Sequence, residues 1–237
     1  RLRGVRGGGH LVIQHRTTPM AAAASRRQRR HAWRHRLRTA AAALLLWPAW
    51  LLAGDPTILV FGDSLSAAHG LDRDRAWPAL LEARLAEAGL PHRVVNASRS
   101  GETTDGGARR LPEALARYEP TITLLELGGN DALRGQSPAR VRDNLAQMIA
   151  QAREAGSRVL LLGIRIPPNY GQAYTERFEA IYPDLAEAHD APLVPFLLED
   201  VWDEAGMMQE DGIHPTAAAQ PVIAETVWQE LRRLLDR

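Results

Sequence analysis

The chain lacks two residue types on which much enzyme chemistry depends, cysteine and lysine. It contains no Cys, and all 29 of its basic residues are Arg. Without Cys there is no disulfide, no thiol nucleophile and no thiolate metal site. Without Lys there is no Schiff base, no Walker A lysine and no Ser-Lys dyad. These absences exclude several classes of function before any motif is considered.

The net charge of +1 conceals an uneven distribution of charge along the chain. Residues 1–53 hold 11 Arg and no acidic residue, whereas residues 54–237 hold 18 Arg and 28 Asp or Glu. The two parts therefore carry +11 and −10, which indicates different roles. Nucleic-acid binding requires a basic face against phosphate. The acidic second part argues against a nucleic-acid partner.

The first 53 residues have the pattern of an export signal. A basic stretch at 26–38 precedes an apolar run at 39–53, which matches the n-region and h-region of a signal peptide. The apolar run is shorter than the ~20 residues that a membrane span needs. We predict that residues 1–53 are a leader, made of an upstream extension before Met20 and a signal peptide cleaved after Ala53. The alternative is an uncleaved anchor helix.

From residue 57 onward, strand-like apolar runs alternate with segments of helical spacing. The runs predicted as strands are 57–61, 93–95, 121–127, 158–164 and 192–194. One of the helical stripes between them runs from Tyr174 to Leu185. Such alternation is typical of a parallel sheet with helices on both faces, here as one domain over 54–237. Functional residues in these folds lie in loops at the carboxyl ends of the strands.

Two short polar motifs follow predicted strands directly. The sequence GDSLS places Ser64 after the first strand, with its backbone N–H at or near a helix start. The sequence GGND places Asn130 after the third strand, where its amide could meet a developing oxyanion. Each motif alone is equally compatible with a capping serine or a plain turn.

A third motif, DGIHP, lies after the fifth strand and before the last helix. The three-residue separation lets the Asp211 carboxylate hold the His214 imidazole in orientation and stabilise its charged form. Pro215 suits the first turn of the following helix, which would place His214 at the mouth of that helix. A surface Asp and His at a helix cap is the alternative interpretation.

The remaining histidines of the acidic part are weaker candidates for a general base. His92 lies at a strand entry and His189 closes a helix at the opposite end from the motifs. His69 follows Ser64 closely but has no obvious carboxylate partner, and we interpret it as a residue at the rim of a pocket.

A metal site is a competing interpretation of the same motifs. Four residues could gather around a cation: Asp63, Asp131, Asp211 and His214. No HExxH motif or paired-histidine spacing supports this, and Ser64 would have no role. We therefore predict no metal and no other cofactor.

Taken together, the motifs resemble the SGNH, or GDSL, hydrolase superfamily. Its four blocks are carried by Ser64 in GDSLS, Gly101 in NASRSGETT, Asn130 in GGND and His214 in DGIHP. With the segment IRIPPNYG that begins at Ile164, they are similar to one branch, the periplasmic acyl-CoA thioesterases and lysophospholipases of Gram-negative bacteria. The resemblance covers residues 57 to about 235.

The resemblance implies a fold and a set of roles. The fold is a three-layer α/β/α sandwich whose five-stranded parallel sheet has the flavodoxin-like order 2-1-3-4-5. Ser64 attacks the acyl carbon, His214 transfers the proton and Asp211 orients His214. The oxyanion hole comprises the N–H groups of Ser64 and Gly101 and the side-chain amide of Asn130.

The expected function is hydrolysis of acyl thioesters and carboxylic esters with a medium or long acyl chain. We expect loops 132–137 and 165–174 to wall an apolar groove, with Ile166, Pro167 and Tyr170 touching the chain. The expected product of export is a periplasmic monomer without a stable membrane anchor, whose partner is a small-molecule substrate.

Three alternatives remain open at this point. One is a carbohydrate O-acetylesterase or short-chain arylesterase with the same machinery. Another is a catalytically silent lipid- or glycan-binding domain. The third is a lid-bearing α/β-hydrolase, against which the absence of a GxSxG elbow argues.

Overall fold

The structure is a computed structural model that describes residues 55–236. The predicted leader and its cleavage site lie outside these residues. In the part of the chain that is described, none of the helices combines the length and apolar character that crossing a bilayer requires.

The centre of the domain is a five-stranded parallel sheet. Its strands are β1 (Thr57–Gly62), β2 (Arg93–Asn96), β3 (Ile122–Glu126), β4 (Arg158–Leu162) and β5 (Leu193–Val194). They lie in the order β2-β1-β3-β4-β5, and every neighbouring pair is parallel. The predicted fold class and strand order are confirmed. The third and fourth strands end one and two residues earlier than predicted, where the chain turns into the site loops.

The central strands are apolar on both faces because helices cover both sides of the sheet. Along β1, Ile58 and Val60 face one apolar core, while Leu59 and Phe61 face the other. All four side chains are completely buried. Burial of each such side chain contributes about 1.5–3 kcal/mol, which makes these strands the most strongly anchored part of the fold.

Seven helices and two short 3-10 turns connect the strands within residues 55–236. The helices are α1 (Trp77–Glu87), α2 (Thr104–Tyr118), α3 (Gly129–Leu133), α4 (Pro138–Glu154), α5 (Gln172–Glu179), α6 (Ile181–Ala188) and α7 (Gln220–Leu235), and the 3-10 turns are Arg73–Arg75 and Pro168–Tyr170. Helices α1 and α7 pack on one face of the sheet. Helices α2, α4, α5 and α6 pack on the other.

The single helical stripe predicted from Tyr174 to Leu185 forms two helices. Helix α5 ends at Glu179 and α6 begins at Ile181, with Ala180 between them. Pro183 explains the break, because it has no N–H to donate to the carbonyl four residues earlier and its ring clashes with that carbonyl.

The last helix does not begin at Pro215, so the predicted position of this proline is wrong. Helix α7 begins at Gln220, with a proline in its first turn. Pro215 instead forms an isolated antiparallel bridge with Met208. Gln209 N–H donates to the His214 carbonyl at 2.8 Å, closing a short hairpin. His214 is therefore held by a hairpin, not by the mouth of a helix.

Gly163, immediately after β4, offers a test of how closely the chain packs there. A Cβ at this position would collide with the Pro195 carbonyl oxygen and lie 2.9 Å from the carbonyl carbon. We expect Gly163→Ala to lower the free energy of unfolding by about 1–3 kcal/mol, measured by urea denaturation, because backbone has little freedom to move. Gly106→Ala is the matched control, since its Cβ would collide only with the end of the Glu102 side chain. That carboxylate is paired with Arg110 at 2.8 Å but can shift more readily than a backbone carbonyl. Equal stability of the two variants would contradict the prediction.

Candidate active site

The three sequence motifs meet at the carboxyl edge of the sheet. Ser64 follows β1 by two residues and lies in a turn, in which Ala67 N–H donates to the Asp63 carbonyl at 2.9 Å. The turn does not continue into a helix, in contrast to the predicted helix start. Asn130 lies in α3, directly after β3, and His214 lies in the hairpin after β5.

Ser64, His214 and Asp211 form one continuous chain of hydrogen bonds. The Ser64 Oγ lies 2.9 Å from His214 Nε2, and His214 Nδ1 lies 2.6 Å from Asp211 Oδ2. The other Asp211 oxygen, Oδ1, accepts the backbone N–H groups of Ile213 at 2.9 Å and His214 at 3.0 Å. This geometry is local, because the backbone N–H groups two and three residues after an Asp can donate to its own carboxylate in a tight turn.

The hydrogen bonds around Asp211 keep its carboxyl ionised. The His214 side chain is the largest cause, followed by the backbone N–H groups of His214 and Ile213, and together they hold the pKa of Asp211 well below its usual range. The His214 side chain is 14% exposed and that of Asp211 is 41% exposed. An ionised carboxylate 2.6 Å from Nδ1 can hold the imidazole in one orientation.

His69 stacks on the His214 ring, with ring centroids 4.1 Å apart and an interplanar angle of 27°. It lines the cavity described below, in line with its interpretation as a residue of the pocket rim. Within residues 55–236, the potential metal ligands that approach one another are His69, Asp211 and His214, within 4.8 Å. The cation set considered from sequence is not assembled, because Asp63 and Asp131 do not belong to this group.

Two further residues expected in an oxyanion hole, Gly101 and Asn130, line the same cavity as Ser64. Asn130 Nδ2 donates one hydrogen to Asp63 Oδ2 at 2.9 Å, and the amide carries a second hydrogen. Gly101 has φ of 77°, in the left-handed region that favours glycine. Its backbone conformation explains why a glycine is needed at this position.

A buried carboxyl pair lies beneath these residues, and one of its members was not predicted from sequence. Glu126 is fully buried, and its Oε2 accepts the Ser66 hydroxyl at 2.7 Å and the Asp63 N–H at 3.1 Å. Gly62 stands opposite Glu126 in the sheet, and a Cβ there would lie 2.8 Å from the Glu126 carbonyl oxygen. The signal for Glu126 was a lone acidic residue in an otherwise apolar strand, ITLLEL.

Burial dominates the electrostatics of this pair. It raises the pKa of Asp63 to about 6, although hydrogen bonds from Leu65 and Asn130 oppose the shift. Burial, together with the neighbouring Asp63 charge, raises the pKa of Glu126 well above its usual value. Ionisation of both carboxyl groups at the same time is therefore unfavourable.

A cavity of about 460 Å³ opens from Ser64 and is lined mainly by apolar side chains. Ile166 and Pro167 line it, as does Leu133 from the other predicted loop. Tyr170 is not among the lining residues, contrary to expectation. It is 37% exposed and its ring lies 6.4 Å from that of Tyr174, at the start of a row of aromatic rings.

Six further apolar lining residues were not expected from sequence. They come from the segment after β5: Phe196, Leu197, Leu198, Trp202, Met208 and Ile213. This segment has neither strand nor helix periodicity, so its apolar residues carry no local signal of where they face. Trp202 and Ile213 are 56% and 43% exposed, which places large apolar surface at the cavity.

The profile of the GDSL-like Lipase/Acylhydrolase family matches residues 60–221. Esterase TesA of Pseudomonas aeruginosa is 54% identical over 183 residues, covering 77% of this chain and 91% of that protein. Thioesterase 1/protease 1/lysophospholipase L1 of Escherichia coli K12 is 44% identical over 184 residues, covering 78% of this chain and 87% of that protein.

Solved structures give the same result. The crystal structure of TesA superposes with a TM-score of 0.73 at 54% identity, covering 75% of this chain and 99% of that chain. A psychrotrophic esterase EstA from Pseudoalteromonas sp., inhibited by monoethylphosphonate, superposes with a TM-score of 0.74 at 37% identity, covering 77% and 100% of the two chains.

The start of α2 is tied to α3 by buried polar contacts, which fix the Gly101 loop relative to Asn130. Asp131 accepts the Thr104 N–H at 2.8 Å and its hydroxyl at 2.6 Å. Thr104→Val would leave one Asp131 oxygen buried without that partner. We expect a loss of about 1–3 kcal/mol in the free energy of unfolding, measured by urea denaturation.

Thr226→Val is the matched control for this substitution. The Thr226 hydroxyl donates only to the Val222 carbonyl within α7, at 3.1 Å, and that carbonyl remains in the helical hydrogen-bond ladder. We expect the control to change stability by less than about 0.5 kcal/mol. Similar losses in both variants would contradict a special role of the Thr104–Asp131 contact.

Proposed function

The chain belongs to the GDSL-like lipase/acylhydrolase family and is an ester hydrolase, and we propose that it cleaves acyl thioesters and carboxylic esters through an acyl-enzyme on Ser64. One observation carries the proposal. The hydrogen-bonded chain of Ser64, His214 and Asp211 ends at the mouth of an apolar cavity. A nucleophile, a base and a place for an acyl chain are thus adjacent.

Acylation begins when His214 Nε2 accepts the Ser64 proton as Oγ attacks the carbonyl carbon of the substrate. The ionised Asp211 stabilises the imidazolium that forms and keeps Nε2 directed at Ser64. The imidazolium then donates its proton to the departing thiol or alcohol, and the acyl group remains on Ser64 as an ester. Water, activated by the same imidazole, releases the acid and restores Ser64.

The tetrahedral intermediate places negative charge on the former carbonyl oxygen. In the proposed mechanism, the N–H groups of Ser64 and Gly101 and one hydrogen of the Asn130 amide stabilise this charge. The presence of all three residues in the lining of one cavity supports the assignment. The hydrogen bond from Asn130 Nδ2 to Asp63 supports it further. It uses one hydrogen of the amide nitrogen and leaves the other for the oxyanion.

The shape and lining of the cavity favour a medium or long acyl chain over an acetyl group. Each buried methylene contributes about 0.8 kcal/mol, so an apolar cavity rewards chain length. The names of the relatives, an esterase, an arylesterase and a thioesterase/lysophospholipase, support esters and thioesters as the substrate class.

Export is a second part of the proposal. The basic and apolar pattern of residues 26–53 supports a signal peptide, and we place the mature domain, residues 54–237, in the periplasm as a monomer without a membrane anchor. N-terminal sequencing of the protein recovered from the periplasm of a Gram-negative host tests this. A mature chain that keeps residues 26–38 would contradict it.

The assignment of the nucleophile predicts a defined pattern of activity loss. Ser64→Ala and His214→Ala should each abolish nearly all p-nitrophenyl ester hydrolysis, and the double variant should be hardly worse, because the two residues act as a unit. Asp211→Ala should lose less. A fluorophosphonate probe should label the wild-type protein on Ser64, detected by mass spectrometry of tryptic peptides. Labelling at another residue, or a fully active Ser64→Ala variant, would overturn the assignment.

The proposed acyl site predicts that Ile166 influences chain-length preference. Ile166→Ala should raise kcat/KM for longer p-nitrophenyl esters relative to shorter ones, and Ile166→Phe should do the reverse, because the residue lines the cavity. Ile149→Ala is the control, since Ile149 is buried in the same apolar core but does not line the cavity. An unchanged profile in both Ile166 variants would place the acyl chain elsewhere.

A further inference from the structure

The proposed mechanism makes no use of the most deeply buried acidic residue near the site, Glu126. This residue ends β3 and contacts the GDSLS turn from below. Its Oε2 accepts two donors, the Asp63 N–H and the Ser66 hydroxyl. Its Oε1 is buried and receives no hydrogen bond from a donor within residues 55–236. A carboxylate oxygen in that position would bear negative charge without solvent or donor, which is costly.

The second observation is the contact between the two carboxyl groups. The two side chains lie close enough for a hydrogen bond when one of them carries a proton, since two carboxylates have no hydrogen to share. The backbone also joins them, because the Asp63 N–H donates to Glu126 Oε2 at 3.1 Å. Both Asp63 oxygens accept a donor, Oδ1 the Leu65 N–H at 3.0 Å and Oδ2 the Asn130 amide at 2.9 Å, whereas Glu126 Oε1 accepts none among the described residues. The proton therefore belongs on Glu126.

We propose that Glu126 is a positioning residue, a neutral acid that donates a hydrogen bond to the Asp63 carboxylate and so holds the Asn130 amide toward the oxyanion. Asp63 then accepts two side-chain hydrogen bonds, one from Glu126 and one from Asn130. The proton of Glu126 makes Glu126 the donor and Asp63 the acceptor. If Glu126 were ionised, it would repel Asp63 instead of holding it.

The two donors to Glu126 Oε2 favour its charged form, but burial outweighs them. The titratable groups facing it are Asp63 from the GDSLS turn and Tyr182 from α6. The Tyr182 hydroxyl donates to the Leu127 carbonyl at 3.1 Å, and burial raises its pKa well above the usual value. His214 and Asp131 act on Asp63 and Tyr182, respectively, rather than on Glu126 directly. Burial and the neighbouring Asp63 charge therefore favour the neutral form of Glu126.

The first test measures protonation without using activity. An acid that keeps its proton in the folded state and loses it on unfolding makes stability fall as pH rises. We expect urea denaturation of the full chain to show that Glu126→Gln gains about tenfold in the folding equilibrium constant relative to wild type per pH unit, from about pH 6.5 upward. Asp63→Asn should keep the wild-type slope, because Glu126 remains protonated in it.

The two slopes separate the possible states of the pair. Parallel curves for wild type and Glu126→Gln would mean that the pair holds no proton above about pH 6.5, and would overturn the proposal. Loss of the slope in Asp63→Asn would place the proton on Asp63, which also overturns it. These results are independent of whether the protein acts on the proposed substrates.

The second test measures the effect on the oxyanion. Glu126→Gln supplies a neutral N–H donor of the same shape, so kcat for p-nitrophenyl butyrate should remain within about threefold of wild type. Glu126→Met and Asp63→Asn break the chain and should lower kcat at least about tenfold with little change in KM, toward the 10²–10³-fold loss typical of a missing oxyanion donor.

A matched control distinguishes positioning from general destabilisation. Thr123→Val removes a buried polar group from the same strand, one that pairs with the Ser157 hydroxyl at 2.8 Å and lies outside the cavity lining. We expect it to lower stability and leave kcat unchanged. A Glu126→Gln variant as impaired as Glu126→Met, or a Glu126→Met variant with wild-type kcat, would overturn the role of Glu126. If Glu126→Met does not fold, Asp63→Asn against Thr123→Val gives the same decision.

Discussion

The parallel alignment of the five strands is the constraint on which the site depends. Because all carboxyl ends reach the same edge of the sheet, the segments that follow β1, β3 and β5 must share one region of space. Ser64 and His214 are 150 residues apart in sequence, yet their side chains are 2.9 Å apart. The buried apolar residues on both faces of the strands therefore also determine where Ser64 and His214 lie.

Three buried acidic residues lie near the carboxyl edge of the sheet that carries the site. Asp63, Glu126 and Asp131 are each at most 2% exposed. Each has a distinct set of donors, and burial raises the pKa of all three. Such groups cost stability unless their hydrogen bonds are made. Here they fix the loops around Ser64 in place, so that the groups facing the substrate are held by side chains beneath them.

The hydrogen-bonded residues Ser64, His214 and Asp211 and the cavity have different structural origins. The three residues come from short motifs at strand ends, with local geometry that three or four residues can encode. The cavity has one wall near the end of β4, including Ile166, and another from the irregular segment after β5, including Trp202. Chemistry and substrate preference can therefore vary separately in this fold, because different parts of the chain supply them.

The strands and the residues proposed for catalysis are readable from the sequence, and the order of the strands follows once the family resemblance is added. Apolar runs and short motifs are local, and a strand end followed by GDSLS or DGIHP is readable from consecutive residues. Packing between distant segments is what brings Pro215 to Met208 in a hairpin, stacks His69 on His214 and leaves Tyr170 out of the cavity lining. It also decided that Glu126 meets Asp63. These contacts join residues whose separation no periodicity encodes, since packing between distant segments sets them.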